Sequence, residues 1–219
     1  MIKAVLFDLD GTLANSLKDL ANAVNYALSL DNYPLREVEE FKMFVGDGMP
    51  KMIERALPEG HKDADTVARM LKYVLEHYSV HYADNTCSYK GVPELIESLK
   101  EMGLIVAVVT NKVQEMADIV VEKLYGNAFE KVFGKREGVP AKPDPTMALL
   151  AMEELGVKPD ECVFIGDSGM DVATGVNSGA LPVGELWGFR GEEELRANGA
   201  KYIISDPSEL IEIIKEANK

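Results

Sequence analysis

The chain has 219 residues, 47% of them hydrophobic and 27% charged, and a formal net charge of −14. A chain of this length buries roughly 70% of its unfolded surface, so it needs no disulfide or metal staple. The acidic balance argues against nucleic acid and anionic membranes as partners, since both require a basic face, and any phosphate site must be made locally positive by a cation, a lysine or a helix N-terminus. Cys87 and Cys162 are the two cysteines and form no C-x-x-C pair, which weakens zinc, redox and disulfide readings. No apolar run approaches the ~18 residues that span a bilayer. The chain opens on a strand pattern rather than a signal peptide, and a reducing cytoplasm is the expected compartment.

Residues 2–7 are apolar apart from Lys3, with β-branched and aromatic side chains, and read as a buried strand. Asp8 and Asp10 follow at i and i+2, so strand alternation points both carboxylates the same way and Leu9 back to the core. Two like charges at one spot are costly unless a cation or a proton joins them. Gly11-Thr12 then turns the chain and offers backbone N–H groups suited to an anion. A D-x-D-G-T run arises by chance on the order of once per 10^5 positions; a solvated acidic turn is its ordinary alternative.

Next comes a helix over 16–30, with Leu17, Leu20, Ala21, Val24, Ala27 and Leu28 at helical spacing and Ser16 with Asp19 patterned as a capping box. Residues 35–45, 49–57 and 63–82 read as further helices, broken at Pro34, at 46–48 and at 58–60. From residue 93 the pattern alternates. Helices are expected over 93–102, 113–124, 145–155 and 170–177, and strands over 104–109, 128–133, 162–165, 180–183 and 201–204. Asp206 to Glu209 then caps a last helix to about 217.

Strands alternating with helices predict an α/β fold, a doubly wound parallel sheet with helices on both faces. The helical block interrupts it after the first strand. The expected organisation is a core of residues 1–15 and 84–219 and an inserted all-helical subdomain of residues 16–83.

Ligands of open parallel sheets bind beyond the carboxyl ends of the strands. Asp8 and Asp10 end the first strand, Thr110 and Asn111 follow the second, and Gly166, Asp167, Ser168, Gly169, Met170 and Asp171 follow the strand at 162–165. Lys142-Pro143-Asp144-Pro145 precedes a helix. Each piece alone has a plainer reading: an N-cap for Thr110-Asn111, a solvated Lys142, acids at a helix start for Asp167 and Asp171. Their recurrence at three strand ends favours one phosphoryl-transfer site. His77 and His81 stand one turn apart on a helix, and without further ligands they read as a solvated face.

With these motifs in view, D-L-D-G-T, V-V-T-N, A-K-P-D and G-D-S-G-M-D, the chain resembles the haloacid dehalogenase superfamily of phosphotransferases over nearly its whole length. The helical insert resembles the cap of the branch that inserts it after the first motif. F-V-G-D-G-M-P in the insert and L-W-G-F-R near the C-terminus are similar to phosphoglycolate phosphatases.

The resemblance implies a Rossmann-like core and a Mg2+-dependent phosphatase acting on a small phosphorylated metabolite such as 2-phosphoglycolate. It implies that Asp8 is the nucleophile forming an aspartyl-phosphate and Asp10 the acid and base. Asp8, the backbone carbonyl of Asp10, and Asp167 would hold Mg2+. Thr110 and Lys142, with the N–H groups of Leu9 and Asn111, would bind the phosphoryl oxygens. Asp171 would orient a coordinated water or hold Lys142, and Ser168 would support the set. A carboxylated substrate asks for a further cation; Lys42, Lys51, Arg55 and Arg190 are the candidates. A monomer or weak homodimer is expected. A sugar-phosphate mutase of the same superfamily is the alternative, and a response-regulator receiver a more distant one, disfavoured because the D-x-D-G-T turn and the insertion follow the first strand.

Overall fold

The computed structural model describes residues 1–219. In chain order the elements are β1 (Ala4–Phe7), β2 (Ala14–Asn15), α1 (Leu17–Leu30), α2 (Phe41–Phe44), α3 (Met49–Ala56), α4 (Ala64–His81), β3 (Cys87–Ser88), α5 (Val92–Glu101) and β4 (Ile105–Val113). They continue as α6 (Gln114–Tyr125), β5 (Lys131–Lys135), α7 (Thr146–Glu154), β6 (Cys162–Gly166), α8 (Gly169–Ser178), β7 (Leu181–Glu185), α9 (Glu192–Ala197), β8 (Tyr202–Ile204) and α10 (Glu209–Ala217). The chain divides into two compact units, Met1–Ala14 with Ser88–Lys219, and Asn15–Cys87.

The first unit is the α/β one. Its six strands lie in the order β5-β4-β1-β6-β7-β8, every neighbouring pair parallel. β1 sits between β4 and β6, so the chain doubles back at its first strand, the switch point where such sheets bind ligands. All four residues of β1 are buried, as a strand covered on both faces must be. Its alternation sends Ala4 and Leu6 into a core shared with Ala107, Val109, Phe133, Met147, Phe164 and Cys162. Cys162 is thus a small core side chain, and burial pushes its thiol up to about 12, far from reactive.

The second unit is helical, with a 3-10 turn at Val38–Glu40. The helix expected over 35–45 shrinks to that turn and the four residues of α2. Glu37 explains the late start: its backbone is extended, and its N–H donates to Glu40 Oε2 at 2.8 Å. The expected Ser16–Asp19 capping box is not formed. Ser16 makes no side-chain cap bond to α1, and Asp19 turns away to accept from Asn85 and Thr86.

Smaller differences have local causes. β4 runs on to Val113, with a register shift against β5 after Val109, because Thr110, Asn111 and Lys112 stay extended at the sheet end. β5 pairs only from Lys131, later than expected. α9 was not expected; its acidic sequence has one buried residue, Leu195, which leaves no periodic apolar face to read. No helix is long and apolar enough to cross a membrane.

Candidate active site

The acidic turn after β1 is held by backbone bonds. Asp8 N donates to Ile165 O at 3.0 Å, and Leu9 O accepts from Thr12, Leu13 and Ala14 at 3.3, 3.0 and 2.8 Å. Gly11 adopts φ 98°, which side chains resist. A Cβ there would also lie 2.5 Å from Asp167 Oδ2. The first motif is therefore glycine at this point because the fourth motif packs against its backbone.

Asp167 and Asp171 flank the start of α8. Ser168 caps that helix, and Asp171 Oδ2 accepts from Ser168 N at 3.0 Å and Ser168 Oγ at 2.6 Å. With that oxygen committed, Asp171 Oδ1 faces Lys142 Nζ at 2.5 Å. The same Nζ stands 2.7 Å from Asp8 Oδ1 and donates to Val109 O at 3.2 Å. Lys142 is 4% exposed, so burial works against its charge, but Asp171 and Asp8 outweigh that and raise its pKa.

Ligand oxygens of Asp8, Asp167 and Asp171 all lie within 4.8 Å of one another, and all three residues are buried. Burial, with the Asp171 charge adding to it, pushes the Asp8 carboxyl up to about 6 against the pull of Lys142. Burial, then Asp171 and Asp8, raise Asp167 well above the carboxylate range. One ammonium, paired with Asp8 and Asp171, thus stands against three gathered acids. Such a hard, oxygen-only set with more acids than cations suits Mg2+, and a dication would favour the ionised carboxylates that burial disfavours.

A family model described as haloacid dehalogenase-like hydrolase matches residues 2–179. The chain belongs to the haloacid dehalogenase-like hydrolases. It is 32% identical to a phosphoglycolate phosphatase of Haemophilus influenzae, covering 97% of this chain and 98% of the relative. It is 33% identical to one of Chromobacterium violaceum, at 98% and 97% coverage, and 30% identical to an N-acetylmuramic acid 6-phosphate phosphatase of Pseudomonas aeruginosa, at 99% and 96%. A crystal structure of a protein assigned as a phosphoglycolate phosphatase, from Lactobacillus delbrueckii subsp. bulgaricus, superposes with a TM-score of 0.91 at 31% identity, covering 97% and 98% of the two chains. Within the hydrolase family these relatives place the chain among the phosphatases.

In this hydrolase the expected residues divide between one cluster and its surroundings. Asp8, Asp167, Asp171, Ser168 and Lys142 come together as described. Asp10 does not place its carboxylate in that cluster: Lys112 Nζ holds both its oxygens at 3.0 Å. Thr110 is buried, and its Oγ1 accepts from Lys112 N at 3.2 Å. The Asn111 side chain binds the main chain of Lys142, accepting from its N–H at 2.8 Å and donating to its carbonyl at 3.3 Å. The candidate cations for a substrate carboxylate already face acids: Lys42 with Glu39 at 2.8 Å, Lys51 with Glu54 at 2.7 Å, Arg55 with Asp47, and Arg190 with Glu194 at 3.4 Å. His77 and His81 stack with ring centroids 4.4 Å apart, and His81 pairs with Asp84.

Sequence reasoning missed two charged residues of the site. Lys112 carried a signal, since it lies two positions past Thr110 on an extended segment and shares its face. Glu185 also did: it ends an apolar strand in register with Val183, which is a core position.

Proposed function

We propose that this hydrolase is a Mg2+-dependent phosphomonoesterase working through a phosphoryl group on Asp8, with 2-phosphoglycolate as its preferred substrate. The observation that carries the reading is the buried convergence of Asp8, Asp167 and Asp171, with the Lys142 ammonium paired to Asp8 and Asp171.

The residues divide the work by their chemistry. An Asp8 oxygen attacks phosphorus while the ester P–O bond breaks, leaving an aspartyl-phosphate. Asp10, on the same turn, gives its proton to the departing oxygen; in the second half it takes one from water, whose oxygen attacks phosphorus and frees Asp8. Lys142, Thr110 and the N–H of Asn111 offset charge on the equatorial oxygens. Asp8, Asp167 and the main-chain carbonyl of Asp10 would hold Mg2+, with Asp171 beside them. Bound Mg2+ supplies the positive charge that lets a dianionic phosphoryl group approach carboxylates.

The substrate assignment leans on the relatives named for phosphoglycolate; the relative named for a sugar 6-phosphate is its main competitor. We place the choice among substrates in the helical unit of Asn15–Cys87, which stands in the chain where the family's cap is inserted. The experiment is a screen of about fifty phosphorylated metabolites by kcat/KM, with EDTA and Asp8→Asn as controls. The expected outcome is phosphate release highest on 2-phosphoglycolate, abolished by either control. Robust turnover after metal removal, or by Asp8→Asn, refutes the mechanism. Isomerisation of a hexose 1-phosphate without phosphate release assigns a mutase instead.

A further inference from the structure

Glu185 ends β7 and is 0% exposed, a costly place for a carboxylate without partners. Its Oε2 accepts from Trp187 N at 2.7 Å and Gly188 N at 3.2 Å. The next amide, Phe189 N–H, donates to Asp167 Oδ2 at 2.8 Å. Three successive amides of one loop are thus aimed by two acids, the first two by Glu185 and the third toward Asp167.

The loop has no slack around that arrangement. A Cβ on Gly188 would lie 2.3 Å from Asp167 Cβ, 2.6 Å from Gly11 O and 2.7 Å from Glu185 Oε1. The Trp187 indole N–H donates to Thr12 O at 3.0 Å, which ties the same loop to the turn that carries Asp8 and Asp10. Glu185 itself is not among the three acids whose ligand atoms converge. Its bonds run to the loop, and the loop bears on Asp167.

We infer that Glu185 is a positioning residue for Asp167: by accepting the 187 and 188 amides it folds the loop so that Phe189 N–H fixes one Asp167 oxygen and orients the carboxylate for a divalent cation. The inference rests on the metal-assisted reading above. It assigns the work to an acceptor oxygen rather than to charge. A glutamine carbonyl has the two lone pairs needed to take both N–H groups, whereas leucine fills the space and takes neither.

The test is Mg2+ titration by calorimetry on EDTA-treated wild type, Glu185→Leu and Glu185→Gln, with MgCl2 alone as the probe. Outer partners of metal ligands typically carry 10- to 100-fold in affinity, so Glu185→Leu is expected to bind Mg2+ about tenfold more weakly, and Glu185→Gln within about threefold of wild type. Wild-type affinity in Glu185→Leu overturns the inference, and so does a Gln variant as weak as the Leu variant. If Glu185→Leu does not fold, Phe189→Pro carries the test, because it deletes the donor to Asp167 directly; unchanged Mg2+ affinity there overturns the inference equally. A wild-type protein that binds no Mg2+ defeats the metal-assisted reading itself, and so is told apart from a failure of Glu185 alone.

Discussion

Lys112 Nζ grips both carboxylate oxygens of Asp10 at 3.0 Å, and the Lys112 side chain is 4% exposed. Asp10 is the proposed proton carrier, so Lys112 sets where that carboxylate points before substrate arrives. Positioned proton transfer is worth about 10²–10⁴ in rate. Lys112→Met is therefore expected to lower kcat on p-nitrophenyl phosphate on the order of 10²-fold while changing KM by less than about tenfold. Steady-state kinetics of the purified variant checks this. A rise in KM with kcat intact would make Lys112 a substrate-binding residue instead.

The proposed Mg2+ site also gives stability a dependence on pH. The Asp8 carboxyl is held at about 6 in the folded protein, against an ordinary 3.8, by burial and by Asp171. A raised acid binds its proton more tightly folded than unfolded, so its contribution is complete below about pH 4 and is lost as pH climbs through about 6. Asp167 and Glu185 are raised in the same direction by burial and neighbouring acids and contribute with the same sign. Mg2+ needs the ionised carboxylates and compensates them. The gain in Tm on adding Mg2+ is expected to be small near pH 5 and clearly larger near pH 8. Thermal melts at the two pH values with and without MgCl2 measure it. Equal gains would place the cation elsewhere.

Much of the α/β unit was legible because strand signals there are local. The apolar run of β1, the acidic turn and the glycine after it sit within a dozen residues, and strand-end chemistry follows from parallel topology alone. What stayed hidden depends on partners far along the chain. The Asp10 carboxylate meets Lys112 across 102 positions, and nothing near Asp10 announces that lysine. The Asn111 side chain reads as an N-cap until Lys142, 31 positions on, is seen to use it. Glu185 looks like a strand-end charge until the loop folds back onto Asp167.

Asp19 shows the same limit inside the helical unit and yields the last prediction. Its spacing from Ser16 suggested a cap, but its carboxylate is 2% exposed and accepts from Asn85 N at 2.9 Å, Asn85 Nδ2 at 2.6 Å, Thr86 N at 2.8 Å and Thr86 Oγ1 at 2.7 Å. Burial would raise its pKa, but these donors together hold it below the ordinary value. One side chain on α1 thus satisfies the returning segment just before β3. Asp19→Ala strands those donors, each worth ~1–3 kcal/mol when buried and unpaired, so a loss of about 3 kcal/mol or more is expected. Asp19→Asn keeps one acceptor oxygen and should fall between Ala and wild type. Urea unfolding of the full chain reads both. An Asp19→Ala midpoint indistinguishable from wild type would show that solvent replaces the carboxylate at no cost.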